Sequence, residues 1–358
     1  MRACRSARSS PTGLSKWLAG TTLNVRRAAE NGEWSSMVKP SSAGCLICAI
    51  LCTVAAGMCP GTPADRGAFE ILEVREHLVD VERGRELDVL VLVPAPSGDV
   101  DAPEEGFPLI VFCHGFLLRG ELYRSYGEHL ASHGFAVVLP TLPMSLLGMD
   151  HRVLAADVRT IIDQLLATSA DPESHLTGLI DASRIGTCGH SLGGKIAVLE
   201  AVDDVRICAI GLLDPVDGGG PGIEDPVRYP SVAPEMMPDI DRPLLFIGAE
   251  LGGLTNVFTP CAPVAENYQR FYEAANPPAI EVTQLGAGHG QYVDPGVEAL
   301  MASCAPGTAD AVWVRSSAVA YLTAFFQWWL EGDEDARRWL DARFETDERE
   351  ERVLVRRK

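Results

Sequence analysis

The sequence predicts an α/β fold in which a mostly parallel central sheet is flanked by helices. Three observations carry this. Short runs rich in Val, Ile and Leu recur along the chain and are continuous rather than alternating, as strands buried on both faces of a parallel sheet require. Segments with helical spacing lie between them, the order that right-handed crossovers demand. Hydrophobic residues make up 47% of the 358, enough to fill a large core rather than leave the chain disordered.

Taken in order, strands are expected at 69–74, 87–93 and 108–113, the last ending in His114-Gly115-Phe116. A helix over 121–133 and a strand over 136–142 follow. Within 151–168, Val153, Leu154, Val158, Ile161, Ile162 and Leu165 keep the spacing of one helical face, so this helix packs on the sheet. A strand at 184–189 runs into Gly189-His190-Ser191-Leu192-Gly193-Gly194, and 195–201 is compatible with helix. Strands at 207–213, 243–248 and 279–285 come next, and the last leads into Gly286-Ala287-Gly288-His289-Gly290. The closing helix covers 316–331, with Val319, Leu322, Phe326, Trp329 and Leu330 as core residues. One catalytic domain is read over 67–341 with 342–358 as a charged tail, and the highly charged residues 331–358 are expected to be solvated or frayed.

Residues 1–66 read as a leader. No charge falls between Lys39 and Asp65, and 43–59 is almost wholly apolar, ending in small residues at Val54-Ala55-Ala56-Gly57. With Met37-Val38-Lys39 as the start, this is the pattern of a secretory signal peptide around 37–59 and implies a secreted or periplasmic protein. The alternative is a plastid transit peptide, since 1–29 bear Arg and Ser without an acid. Membrane contact is expected only through this leader if it stays uncleaved. The leader holds eight basic and three acidic residues, so the remaining 292 carry 22 basic and 46 acidic ones, a net −24. Such a surface repels nucleic acid, and nothing implies a stable protein partner. Of the cysteines beyond the leader, Cys113, Cys188 and Cys208 lie in apolar runs and are expected as buried thiols. Cys261 and Cys304 lie in loop sequence, where an oxidising compartment would let them pair.

The strand, serine turn and helix at 184–201 form a Gly-x-Ser-x-Gly elbow of the kind found in the α/β-hydrolase fold. A serine hydroxyl is a weak nucleophile at neutral pH and needs an adjacent imidazole to take its proton. His289, last in the chain and in a glycine-rich loop after a strand, suits that role. His129 and His133 share a helix face but lack the intervening acid of a zinc protease, and His190, beside the serine, should point away from it. The acid that orients the imidazole has three candidates. Asp214 ends the strand after the elbow helix, in a Leu-Asp-Pro string similar to that of pancreatic-type lipases, and is preferred; Glu250 is second and Asp217 third. The backbone N–H groups of Leu192 and Phe116 are the expected oxyanion donors. Acyl transfer to water by these groups needs no metal or organic cofactor.

Several blocks of the chain resemble the chlorophyllases. They are His114-Gly115-Phe116-Leu117-Leu118 with Ala131-Ser132-His133-Gly134-Phe135, the elbow with Gly193-Gly194-Lys195, Asp214-Pro215-Val216-Asp217-Gly218, Pro260-Cys261-Ala262-Pro263, Gly288-His289 before Tyr292-Val293-Asp294, and Leu330-Glu331-Gly332-Asp333. The resemblance covers about 85–333 and implies a triad of Ser191, Asp214 and His289 hydrolysing the phytyl ester of chlorophyll to chlorophyllide and phytol. The family's elbow usually has arginine after the serine, where this chain has Leu192, and the stretch from Ser191 to Asp214 is shorter than in plant members. Cutinase-like and bacterial polyester hydrolases share the His-Gly-aromatic loop, so a secreted carboxylesterase acting on another apolar ester is the alternative. A non-catalytic binding module would lack part of the triad. Tyr229, Met236, Met237 and Phe258, in the long loops at 217–241 and 251–267, are candidate groove walls.

Overall fold

The apolar runs pair into one sheet. The computed structural model describes residues 22–23, 61–95, 102–145, 149–218, 225–257, 259–297 and 300–358. The predicted leader up to residue 60, apart from Thr22 and Leu23, lies outside them, as does Phe258. The strands are β1 (Thr22–Leu23), β2 (Glu70–Asp80), β3 (Arg85–Ala95), β4 (Phe107–Cys113), β5 (Ala136–Thr141), β6 (Ile180–His190), β7 (Ile207–Leu213), β8 (Leu244–Ala249), β9 (Ala279–Gln284) and β10 (Val353–Arg357). Their order across the sheet is β1-β2-β3-β5-β4-β6-β7-β8-β9-β10. β4 to β9 pair in parallel, whereas β2, β3 and β10 join antiparallel.

Among the described residues, six α-helices cover the two faces: α1 (Arg124–Ser132), α2 (His151–Ala170), α3 (Leu192–Asp203), α4 (Tyr268–Ala274), α5 (Ala311–Phe326) and α6 (Glu334–Arg349). α2, α3 and α4 share one apolar cluster, and α1, α5 and α6 share the other. The Asp150 side chain caps α2 by accepting the N–H groups of Arg152 and Val153. The expected face of that helix is buried except for Val153, which is exposed. No helix among the described residues is long and apolar enough to cross a membrane.

Most predicted elements stand within a few residues of their expected limits; the chain end does not. Residues 331–358, expected to be solvated and frayed, instead follow a π-helical turn (Gln327–Glu331) and form α6 and β10. Several of the charges that suggested solvation are paired with buried acids of the fold. Arg356 lies opposite the buried Glu281 in the β9–β10 register, its Nε 3.0 Å from Glu281 Oε1, and Arg343 Nε is 2.7 Å from the buried Asp347. Leu340, Phe344 and Val353 are buried, with the Phe344 ring 4.9 Å from that of Tyr321.

Cys261 and Cys304 form a disulfide, and Cys113 and Cys188 are buried thiols. Cys208, expected as a third buried thiol, is instead partly exposed and disulfide-bonded. Phe344→Ala should lower stability by about 3–5 kcal/mol in urea unfolding, the cost of emptying a packed aromatic site. A loss of only about 0.5 kcal/mol, as at an exposed position, would contradict the packed chain end.

Candidate active site

β6 ends at His190 and α3 starts at Leu192, so Ser191 alone makes the turn between them. Its backbone sits at φ 57°, ψ −126°, a conformation that costs an L-residue about 1–3 kcal/mol. Three hydrogen bonds hold it there. The Ser191 N–H donates to the Leu213 carbonyl at 3.0 Å, and its own carbonyl accepts the N–H groups of Gly194 (3.0 Å) and Val216 (3.1 Å). The flanking glycines are a steric necessity. A Cβ on Gly189 would lie 2.3 Å from the Gly193 carbonyl oxygen, and one on Gly193 would lie 2.2 Å from that of Cys113.

That close approach sets α3 against the ends of β4 and β6, beside the loop that carries His114, Gly115 and Phe116. Leu192, as the first residue of α3, has an N–H with no partner within the helix. Phe116 follows β4 on the facing segment and is exposed. The two expected oxyanion donors therefore lie on adjacent segments at one end of the sheet.

His289 brings the chain back to the same place. Its Nε2 is 2.9 Å from Ser191 Oγ and its Nδ1 is 2.7 Å from Asp214 Oδ2. Asp214 is fully buried, and its other oxygen accepts the Ala249 N–H at 3.2 Å. A carboxylate facing Nδ1 fixes the proton on that nitrogen and leaves the Nε2 lone pair for the serine hydroxyl. This geometry can take a proton from the hydroxyl as it attacks an electrophilic carbon.

Glu250 and Asp217 serve elsewhere. Glu250 Oε2 accepts the Gly286 N–H at 2.7 Å, holding the turn that precedes His289. Asp217 accepts the Ser231 hydroxyl at 2.7 Å and the Val232 N–H at 2.9 Å, and its carboxylate lies 3.2 Å from the buried Lys195 ammonium. It ties the loop after β7 to α3 and to residues 231–233. Tyr229 and Met237, candidate groove walls, are buried in the α2–α3–α4 cluster, and Met236 packs against it.

Four other histidines brace the structure. His129 and His133 sit 4.9 Å apart, ring to ring, and their Nε2 atoms bond to the carbonyls of Pro63 and Asp65. Among the described residues no group of three or more His, Cys, Asp or Glu side chains is placed to hold a metal ion. His114, fully buried, has Nδ1 2.8 Å from the Gly115 carbonyl, while its Nε2 accepts the Leu142 N–H at 2.9 Å. Burial lowers its pKa to about 4, so it stays neutral as that pattern requires. His190 points into the core, its Nδ1 2.7 Å from the Tyr123 hydroxyl and its Nε2 3.1 Å from the His289 carbonyl. Burial first, then the neighbouring His289 ring, hold its pKa well below the usual histidine range. Tyr123 has no signature in the sequence, lying in a largely polar segment, Arg119-Gly120-Glu121-Leu122-Tyr123-Arg124, that matches no catalytic pattern.

Comparison with known proteins places this site in context. Residues 67–346 match the family model described as Chlorophyllase. Chlorophyllase-2 of Arabidopsis thaliana is 30% identical over 217 residues, covering 58% of this chain and 64% of that protein. Chlorophyllase-1, chloroplastic, of Citrus unshiu is 31% identical over 185 residues, covering 50% and 53%. The match thus spans just over half to just under two thirds of these relatives' own lengths. A ferulic acid esterase from Streptomyces cinnamoneus shares the fold with a TM-score of 0.55 at 23% identity, over 77% of this chain and 93% of that one. The sheet, its two helical layers and the elbow are those of an α/β-hydrolase. Since the family match runs from the first residues before β2 into α6 and takes in Ser191, Asp214 and His289 together, the chain belongs to the chlorophyllase family.

Proposed function

We propose that the chain is a serine carboxylic-ester hydrolase in which Ser191 is the nucleophile, His289 the general base and then acid, and Asp214 the carboxylate that orients it. The observation that carries this is the unbroken hydrogen-bonded series from Ser191 Oγ through His289 to Asp214, at 2.9 and 2.7 Å. Ser191 Oγ attacks the ester carbonyl while its proton passes to His289 Nε2. The oxyanion so formed is met by the N–H groups of Leu192 and Phe116, each such donor contributing on the order of 3 kcal/mol. His289 returns the proton to the departing alcohol oxygen, leaving an acyl-enzyme. Water, deprotonated by His289, then releases the carboxylic acid and restores Ser191.

We propose an apolar ester as substrate, and the phytyl ester of chlorophyll, yielding chlorophyllide and phytol, as its leading member. Family membership supports the pigment. The apolar side chains Phe116 and Leu117 on the oxyanion side, and Leu254 and Val264 near the acid, are exposed and support a long hydrocarbon alcohol. Two residues before Leu254, a Cβ on Gly252 would lie 2.6 Å from Asp214 Oδ2, and one on the adjacent Gly253 would lie 2.9 Å from the Val264 side chain, so this segment runs beside the acid. Leu192 after the serine, where the family usually has arginine, favours a second reading, a carboxylesterase or cutinase-like enzyme for other apolar esters. For residues 1–66 we propose a targeting leader for export. The chloroplastic name of the Citrus relative supports the plastid alternative.

Incubation with chlorophyll a, triglyceride and nitrophenyl butyrate separates the substrates. Chlorophyllide formed by the wild type and not by Ser191→Ala is expected; cleavage of nitrophenyl butyrate without chlorophyllide would select the second reading. On the nitrophenyl ester, Asp214→Asn should lower kcat by about 10³–10⁴-fold. Glu250→Gln, whose amide oxygen still accepts the Gly286 N–H, should keep activity of the wild-type order. Equal rates for Ser191→Ala and wild type would overturn the triad, and a deeper loss in Glu250→Gln than in Asp214→Asn would reassign the acid.

A further inference from the structure

The loop bearing Phe116 and the loop bearing His289 share no helix or strand, yet both must hold their atoms to a fraction of an ångström. A series of buried hydrogen bonds joins them. The Gly115 N–H donates to Tyr123 Oη at 3.2 Å, the Tyr123 hydroxyl donates to His190 Nδ1 at 2.7 Å, and His190 Nε2–H donates to the His289 carbonyl at 3.1 Å. Each donor and acceptor assignment is forced. Gly115 N–H can only donate and the His289 carbonyl can only accept, so His190 must carry its proton on Nε2 and receive the tyrosine proton at Nδ1. All three links are buried: Tyr123 and His190 are fully enclosed and His289 nearly so.

The other side of Gly115 is held too. Its carbonyl accepts from His114 Nδ1–H at 2.8 Å and from the Leu118 N–H at 3.1 Å. The Gly115 carbonyl and the Phe116 N–H belong to one planar peptide unit and point in opposite directions. Fixing the carbonyl therefore aims the Phe116 N–H, and fixing the Gly115 N–H prevents the loop from sliding along β4.

We propose that Tyr123 and His190 are positioning residues that couple the oxyanion loop to the backbone of His289, so that both catalytic loops keep one geometry. The proposal rests on the esterase reading for its effect on catalysis, but the coupling of the loops does not. A neutral imidazole is required at His190, since a second proton would remove the acceptor for Tyr123 and put a cation 4.6 Å, ring to ring, from His289. Burial keeps it neutral.

Tyr123→Phe removes one hydroxyl and keeps the ring packed on Phe112, 4.9 Å away. Hydrogen exchange by mass spectrometry on the full chain should show exchange faster by about tenfold in both 113–118 and 286–292, with the rest of the sheet unchanged. On nitrophenyl butyrate, kcat should fall about 10- to 100-fold with KM within about threefold, and affinity for a trifluoromethyl ketone analogue should fall by the same factor as kcat/KM. His190→Gln, which can still accept at one atom and donate at another, should recover part of what His190→Ala loses. Unchanged exchange in the 286–292 segment would overturn the coupling. Changed exchange with wild-type kcat and ketone affinity would overturn the positioning role. A wild type as inactive as Ser191→Ala would instead refute the esterase reading, while the exchange measurement would still decide the coupling.

Discussion

Ser191 can occupy its backbone conformation only because α3 lies almost in contact with the ends of β4 and β6. A left-handed serine between a strand and a helix is unstable by itself, and the turn is closed by bonds from β7, from the loop after it and from the first turn of α3. Gly189 and Gly193 make that approach possible, as any side chain at either would meet backbone. Once the turn is closed, the hydroxyl stands at the parallel strands' ends, the helix N-terminus beside it supplies free N–H groups, and the ends of β7 and β9, both on the same side of β6, deliver Asp214 and His289.

Parallel pairing of β4 to β9 explains why a few short loops suffice. All six strands end on the same side, so residues as distant as Phe116, Ser191, Asp214, Glu250 and His289 follow neighbouring strand ends. Asp214 wins over Glu250 for a geometrical reason. β7 lies next to β6, and a buried aspartate at its end meets the imidazole, whereas the longer Glu250 side chain, one strand further out, reaches the Gly286 turn. The disulfide between Cys261 and Cys304 ties the loops after β8 and β9 together on this side of the sheet. The chain end contributes from a distance, since β10 covers what would otherwise be the open edge of β9, the strand that leads into the His289 loop.

Charge is distributed to the same effect. The domain is strongly acidic overall, yet several of its buried acids face specific cations: Asp157 meets Arg83 and Arg85, Glu281 meets Arg356, and Asp217 meets Lys195. Buried pairs of this kind specify geometry more surely than they add stability, because desolvation offsets much of their attraction. In the loops that follow β4 and β8, by contrast, Phe116, Leu117, Leu254 and Val264 are exposed apolar side chains.

The sequence by itself determined the order of strands and helices, the serine elbow, and the candidate roles of His289 and Asp214, because those depend on local period, on glycine sterics and on chain order. It could not settle Asp214 against Glu250, since both end neighbouring strands and only the sheet order brings one to the imidazole. It misjudged 331–358, because Asp347 and Arg356 look solvated until Tyr321 and Glu281, remote from them in sequence, meet them in the fold. Tyr123 was invisible for a similar reason: its hydroxyl matters only where folding places it between Gly115 and His190. Tertiary structure alone decided these points, since a hydrogen bond or ion pair between remote segments leaves no periodicity in either of them.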